Sequence, residues 1–427
     1  KLSLESDIYD SIFFGTRDIE TVTIPSHIKK IEGFAFENCK NLKNVVISEN
    51  SELRTIGENS FLETQIESFT IPPHLTEICG YSFYNCKKLK TVEIPENSEL
   101  LKIGHRSFYG TSIETLKIPP HLTQICSSAF SFCERLKMIE IPENSELQII
   151  ESKAFLGSSI ERFTVPLHLT RIGESAFSNC EQFKLIEIPK NSELQTIQSH
   201  AFFGTSIEKF TIPLHLTQLN EYVFGCNISF QAVEFPPESK LQSIEKFAFD
   251  NTSIDNLTIP STVIDLKEGW CDGTPKLTNI TISLKNPRYK KYGENFIIKN
   301  ASPYSRDFDT LVFCSRNVKT VVIPSFIKHI EGFAFKECKK LQMVEIPKNS
   351  KLQTIGKYAF TISSIECFTI PLHLRKISNY SFTYCKEFKI IEVAENSELE
   401  EIDKDAFDGC NELVFMVPAK FKFSYKS

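Results

Sequence analysis

Residues 72–94 read PPHLTEICGYSFYNCKKLKTVEI, and residues 95–118 read PENSELLKIGHRSFYGTSIETLKI. These are two versions of one unit, 23 and 24 residues long, and each ends on an apolar residue followed by proline. The same dipeptide or a close variant starts at Ile24, Ile47, Ile71, Ile94, Ile118, Ile141, Val165, Ile188, Ile212, Phe235, Ile259 and Ile282. After a gap it returns at Ile323, Ile346, Ile370, Val393 and Val417. The steps alternate between 23 and 24 residues, apart from one of 41, so the two unit types form a 47-residue double unit. Independent motifs do not keep such a metre; tandem structural units do.

Each unit carries a short apolar segment such as Leu89-x-x-Val92-x-Ile94. Extended to Asn97 it becomes L-x-x-L-x-L-x-x-N, the strand pattern of leucine-rich repeats, with His74 and its equivalents in alternate Asn positions. A later isoleucine (Ile78, Ile103) and a phenylalanine five residues on (Phe83, Phe108) complete the inward set. No unit is large enough to bury its own apolar edge, so neighbours must stack and share a core. The predicted fold is a repeat solenoid: a leucine-rich-repeat arc with one parallel β-sheet on the concave face and an irregular, turn-rich convex side. Phenylalanine fills its slot in nearly every unit, from Phe36 and Phe61 to Phe382 and Phe407, while Cys271 takes it once, beside Trp270. Small residues such as Ala35, Ser60, Ser82 and Ala129 precede it, as crowding at a tight turn requires.

Composition narrows the function classes. The 427 residues are 41% hydrophobic with 36 Phe, which argues against disorder. No apolar run approaches the roughly 18 residues needed to cross a bilayer as a helix, so no direct membrane insertion is expected from this segment. The net charge of −6 supplies no basic field for nucleic acid. No glycine-rich phosphate loop, H-E-x-x-H or G-x-S-x-G motif occurs, and no catalytic set rises above the repetition, so neither enzyme activity nor a cofactor is expected.

Residues 283–317 break the metre. Candidate strands at 295–298 and 310–313, separated by turn-forming residues, predict a small hairpin projecting from the array. One elongated domain is expected, with repeat arrays at 1–282 and 318–427 flanking this island. The stretch from Asp10 to Ile19 resembles that from Asp309 to Val318 at an offset of 299, so the chain is expected to open inside a truncated insert of the same kind.

Ile-Pro, Ala-Phe-x-x-Cys-x-x-Leu and Glu-Asn-Ser-x-Leu in this metre resemble the BspA-like leucine-rich repeat family. The residues carrying the resemblance include Ile31, Ala35, Phe36, Cys39, Leu42, Val45 and Ile47, and again Ile330, Ala334, Phe335, Cys338, Leu341, Val344 and Ile346. It implies a non-enzymatic surface antigen or adhesin, at the cell surface or secreted, that binds a protein or another host-cell or matrix macromolecule. An intracellular scaffold of the same fold is the alternative.

Side chains alternate across a strand, so residues between the inward ones face solvent. The first outward column runs Lys43, Glu67, Lys90, Glu114, Lys137, Glu161, Lys184, Glu208. Stacking identical units in register would align like charges; alternating two unit types sets each lysine beside glutamates. A second column alternates mainly Thr and Glu (Thr70, Glu93, Thr164, Glu187). The third breaks pattern: Thr115, Met138, Arg162, Leu185, Lys209, Ala232, then Met343, Cys367, Ile390. Apolar side chains on a solvent face mark a contact patch, so Met138, Arg162, Leu185, Lys209, Met343 and Ile390 are the candidate partner-binding residues.

The histidines His27, His74, His121, His168, His215 and His373 recur at least two coils apart, roughly 10 Å or more, too far to share a zinc ion. They are expected to hydrogen-bond neighbouring backbone, as asparagine does in that position. No C-x-x-C occurs among the 13 cysteines; columns such as Cys39, Cys86, Cys133 and Cys180 lie too far apart to cross-link and are expected to be buried free thiols. Sequons stand at Asn227, Asn251, Asn256, Asn279, Asn300 and Asn379. The charge column yields a test: Glu161→Lys places like charges beside Lys137 and Lys184 and should destabilise by roughly 0.2–1 kcal/mol. An unchanged unfolding midpoint at low salt would count against the column.

Overall fold

Proline follows most of the wide strands, and the coil is built from there. A computed structural model describes residues 2–3, 7–300 and 304–418, and among them it is a parallel β-solenoid without helices. Thr91–Glu93 pairs in parallel with Ser68–Thr70, in the register Ser68↔Thr91, Phe69↔Val92, Thr70↔Glu93. Pro95, lacking an N–H, cannot prolong the ladder. A turn follows, closed by the Ser98 N–H donating to the Pro95 carbonyl at 3.1 Å. Ser98 is buried, and its Oγ accepts the Leu100 N–H at 3.3 Å. Ser51, Ser145, Ser192, Ser239, Ser350 and Ser397 repeat that bond, so the serine of Glu-Asn-Ser is the polar residue that organises the turn.

A second strand follows in each coil, where the sequence predicts only irregular structure. Lys102–Ile103 pairs in parallel with Glu77–Ile78 and Gln124–Ile125. Eight such two-residue strands, from Lys30–Ile31 to Thr196–Ile197, form one sheet. Two residues are too few to show a periodicity, and only the isoleucine faces the core. The outer turn then places two residues four apart in the left-handed region: Tyr81 (φ 56°) and Asn85 (φ 55°), Arg106 (φ 51°) and Gly110 (φ 67°), Lys153 (φ 59°) and Gly157 (φ 66°).

The phenylalanines stack face to face. Ring centroids are 5.3 Å apart for Phe36 and Phe61, 5.1 Å for Phe83 and Phe108, and 5.2 Å for Phe155 and Phe177, with interplanar angles of 5°, 2° and 13°. The later coils continue with Phe335, Phe360 and Phe382 at 4.6 and 4.9 Å. Where Cys271 holds the slot, Trp270 supplies the ring, edge-on to Phe249 at 6.3 Å.

The chain forms two compact units, Lys1–Leu241 and Gln242–Ser427. The insert belongs to the second, and it does not project. Its predicted strands are present as Phe296–Lys299 and Thr310–Cys314, paired antiparallel, with a further strand, Tyr289–Tyr292, ahead of them. Thr310–Cys314 also pairs in parallel with His329–Ile330, so the insert extends the sheet of two-residue strands in the following coils. Ile297, Ile298, Val312 and Phe313 are apolar at consecutive positions and buried, which a free hairpin could not achieve. Asn286 Nδ2 donates to the Pro260 and Val263 carbonyls, and the Tyr289 hydroxyl accepts the Leu266 N–H at 2.7 Å, fastening the insert to the coil before it.

Two stability measurements check this architecture. Phe177→Ala opens a cavity in the ring stack and should cost about 3–5 kcal/mol; a change of the size seen for surface residues would place the stack wrongly. Ile362 occupies the second left-handed position with φ 59°, where many coils carry Gly or Asn and others residues unbranched at Cβ such as Glu63 and Phe132. A β-branched residue is strained there, so Ile362→Asn should stabilise by up to about 1 kcal/mol, and a lowered denaturation midpoint would refute the strain.

Candidate binding face

The wide strands present three outward columns, and their chemistry differs. In the first, each backbone N–H donates to the equivalent residue one coil away, as from Lys90 to Glu67, Lys137 to Glu114 and Lys184 to Glu161 at 2.9–3.0 Å. The charges therefore stack in alternation, yet among the described residues these side chains form no ion pair within 4.0 Å. Their interaction is the weak, screened kind. In the second column threonine bonds glutamate: Thr164 Oγ1 donates to Glu187 at 2.9 Å, and Thr70, Thr211 and Thr369 do the same to Glu93, Glu234 and Glu392.

The third column lacks such a network. Met138 is half-buried and pairs in register with Thr115, and the Arg162 guanidinium lies 3.8 Å from its sulfur. Leu185 follows Arg162 in register and is 48% exposed; Lys209 pairs with Ala232. In the second unit Met343, Cys367, Ile390 and Val414 are successive partners. Met343, Ile390 and Val414 are 45%, 38% and 57% exposed. Val414 was not among the sequence candidates, although the same strand register would have found it. The six candidates thus fall into two sets, one on each unit.

Other predicted sites change role. The histidines do not bond backbone. His74 Nδ1 meets Glu99 Oε1 at 3.0 Å, and His121, His168 and His373 meet Glu146, Glu193 and Glu398 at 3.1–3.3 Å. The position is exposed, so the imidazole turns to the side chain 25 residues on, a glutamate in these four cases and Lys240 opposite His215, while the turn is closed by backbone, with the Leu75 N–H donating to the Pro72 carbonyl at 3.1 Å. Among the described residues no group of His, Cys, Asp and Glu could hold a metal ion. The sequons divide: Asn227 and Asn300 are buried with their amide nitrogens bonded to protein, whereas Asn256 and Asn279 are register partners on the exposed face.

All 13 cysteines are free. Cys86, Cys133 and Cys180 are buried, and each Sγ donates to a phenylalanine carbonyl one coil back at 3.0–3.2 Å. Burial pushes the Cys86 and Cys133 thiols up to about 12, which makes them inert. One cluster is unrepeated. Arg316 is buried without a carboxylate partner; it donates to the Ala334 carbonyl at 3.1 Å and lies beside the sulfurs of Cys338 and Cys271. Burial raises the Cys314 thiol well above its ordinary value. At Cys338 burial is outweighed by the Cys314 hydrogen bond and the Arg316 charge, and the thiol lies below it.

Three comparisons bear on this geometry. A leucine-rich repeat protein from Bacteroides ovatus is 20% identical with a TM-score of 0.53, over 93% of this chain and 92% of that one. A leucine-rich cell-surface protein from Faecalibacterium prausnitzii is 20% identical with a TM-score of 0.43, over 95% and 89%. No curated protein matches the sequence. The BspA-type leucine-rich repeat region matches residues 6–115, 101–231, 225–296 and 307–426, with six copies of the repeat. The stacked coils, the Ile-Pro metre and this match agree: the chain belongs to the BspA-type leucine-rich repeat family.

Proposed function

We propose that the protein is a non-enzymatic, surface-displayed binding protein that grips a protein or another host-cell or matrix macromolecule through the third column of its wide sheet. The observation that supports this best is the run Met343, Cys367, Ile390 and Val414, successive register partners that leave apolar side chains in water. The adjacent threonine–glutamate column satisfies its polar groups internally, so desolvating the third column sacrifices few hydrogen bonds. In the second unit the strands that carry Met343, Cys367 and Ile390 are paired on both sides, so little ordering entropy is lost on binding there. Arg162 and Lys209 give the first unit's part of the column a cationic edge, suited to an acidic partner surface. The name of the Faecalibacterium relative places that protein at the cell surface, which agrees with surface display here.

Thirteen free cysteines favour a second reading, a scaffold in a reducing compartment. Labelling intact cells with a membrane-impermeant reagent separates the two: label on this chain supports display, and its absence supports the scaffold.

The binding face is tested by Met343→Glu with Ile390→Glu in the full chain. Capture of solubilised host-cell surface proteins should fall about tenfold or more, equivalent to roughly 1.4 kcal/mol, with the thermal midpoint unchanged. Unaltered capture by the double variant would remove this face as the binding site.

A further inference from the structure

The insert and the first coils after it border an open cavity of about 390 Å³ in the second unit. Ile298, Phe308 and Phe326 supply its apolar lining, and four cations, Lys290, Arg306, Lys328 and Lys351, stand against two carboxylates, Asp307 and Asp309. The chain as a whole carries a net charge of −6, so this local excess of positive charge runs against the background. Lys328 already engages Asp309 at 3.0 Å. Lys290 lies 3.9 Å over the Phe308 ring, and Lys290, Arg306 and Lys351 form no ion pair among the described residues.

Two of these residues are departures from the repeat at one place. In four other coils a histidine and the glutamate 25 residues later face each other, as in His74 with Glu99 and His373 with Glu398, and in a fifth His215 faces Lys240. At the same step this coil carries Phe326 and Lys351. The backbone has not changed: the Lys351 N–H donates to the Ser325 carbonyl at 2.9 Å, as Glu99 donates to Pro73 at 2.8 Å. The fold therefore does not demand the exchange. Lys240 also replaces the glutamate, but phenylalanine and lysine occur together at this step where the insert stands opposite and borders the cleft.

We propose that this cavity is a binding site for an organic anion: an acid group carried on an aromatic or aliphatic body. The lysines are long, mobile point charges that can converge on a carboxylate, and the two phenylalanines and Ile298 cover the apolar part. The volume lies within the roughly 300–1,000 Å³ of small-ligand sites. The same chemistry has two sources, a free small acid or a glutamate beside an aromatic residue in a partner's chain. The site is separate from the sheet face and does not depend on it.

The test titrates the full chain at low salt with 2-naphthoate, with its neutral amide, and with a short peptide holding Glu next to Phe. Binding of the acid but not the amide is expected, weakening as salt rises. Lys351→Glu, which restores the ladder's usual charge, should weaken it about tenfold or more, equivalent to roughly 1.4 kcal/mol, and Phe326→His should weaken it as well. Lys240→Glu makes the same exchange at the equivalent position of the first unit and should change nothing. The Met343→Glu, Ile390→Glu variant should bind the probes normally, which keeps this result independent of the sheet-face reading. A peptide that binds more tightly than naphthoate identifies a partner chain as the source; the reverse order identifies a free acid. Equal binding of acid and amide, equal effects of Lys351→Glu and Lys240→Glu, or no binding at millimolar probe would overturn the proposal.

Discussion

Parallel stacking in register is the constraint on which everything else rests. Within a unit, coils hydrogen-bond their neighbours at wide strands, at two-residue strands and at outer turns, where Phe83 N–H meets the Ser107 carbonyl at 2.7 Å and Phe130 meets Ala154 at the same distance. A side chain therefore finds as its neighbour the same position of the adjacent unit, about 4.8 Å away. For phenylalanine that is favourable, because rings at this spacing stack. For charges it is unfavourable, and the molecule resolves the conflict by using two unit types. Lysine alternates with glutamate in one column and threonine with glutamate in another. The 47-residue period, the exposed charge pattern and the ring stack are consequences of one geometry.

That geometry also decides what could be seen in the sequence. Positions whose chemistry repeats once per coil, such as Phe83 and Ile78, declare both the unit length and the inward face. The second sheet was invisible because Lys102–Ile103 contributes a single buried residue per strand, too short for alternation to register. The role of Ser98 was missed for a different reason. Serine in a turn reads as a generic polar residue, and only its burial identifies the bond to Leu100. The histidines were assigned by analogy to asparagine, yet that slot is exposed here and the imidazole turns to a glutamate instead. The candidate face was legible as a column of residue types, whereas its division between two units required the coordinates.

The insert illustrates how a break in repetition is absorbed. A projecting hairpin would have left Ile297, Ile298, Val312 and Phe313 in water. Drawing the three strands into the sheet of the following coils buries them. The cost is a junction that no repeated residue can fill, and unusual side chains gather there: Trp270 replaces a ring in the stack, Tyr289 reaches a backbone amide, and Arg316 enters the core.

Arg316 shows the tension in that solution. A buried guanidinium without a carboxylate is expensive, and its nearest polar groups are a carbonyl and the sulfurs of Cys338 and Cys271. It also stacks over Phe313 with its central carbon 4.7 Å from the ring centroid, which recovers part of the lost hydration. The remaining charge acts on the thiols. Cys338 is drawn toward the thiolate, whereas Cys86 and Cys133 at the same position of their coils are held as thiols by burial. The Cys314 hydrogen bond and the Arg316 charge together turn an inert structural position into a polarised one. Arg316 lies within the insert, so the residues that distinguish this chain from a uniform array gather where the array was interrupted.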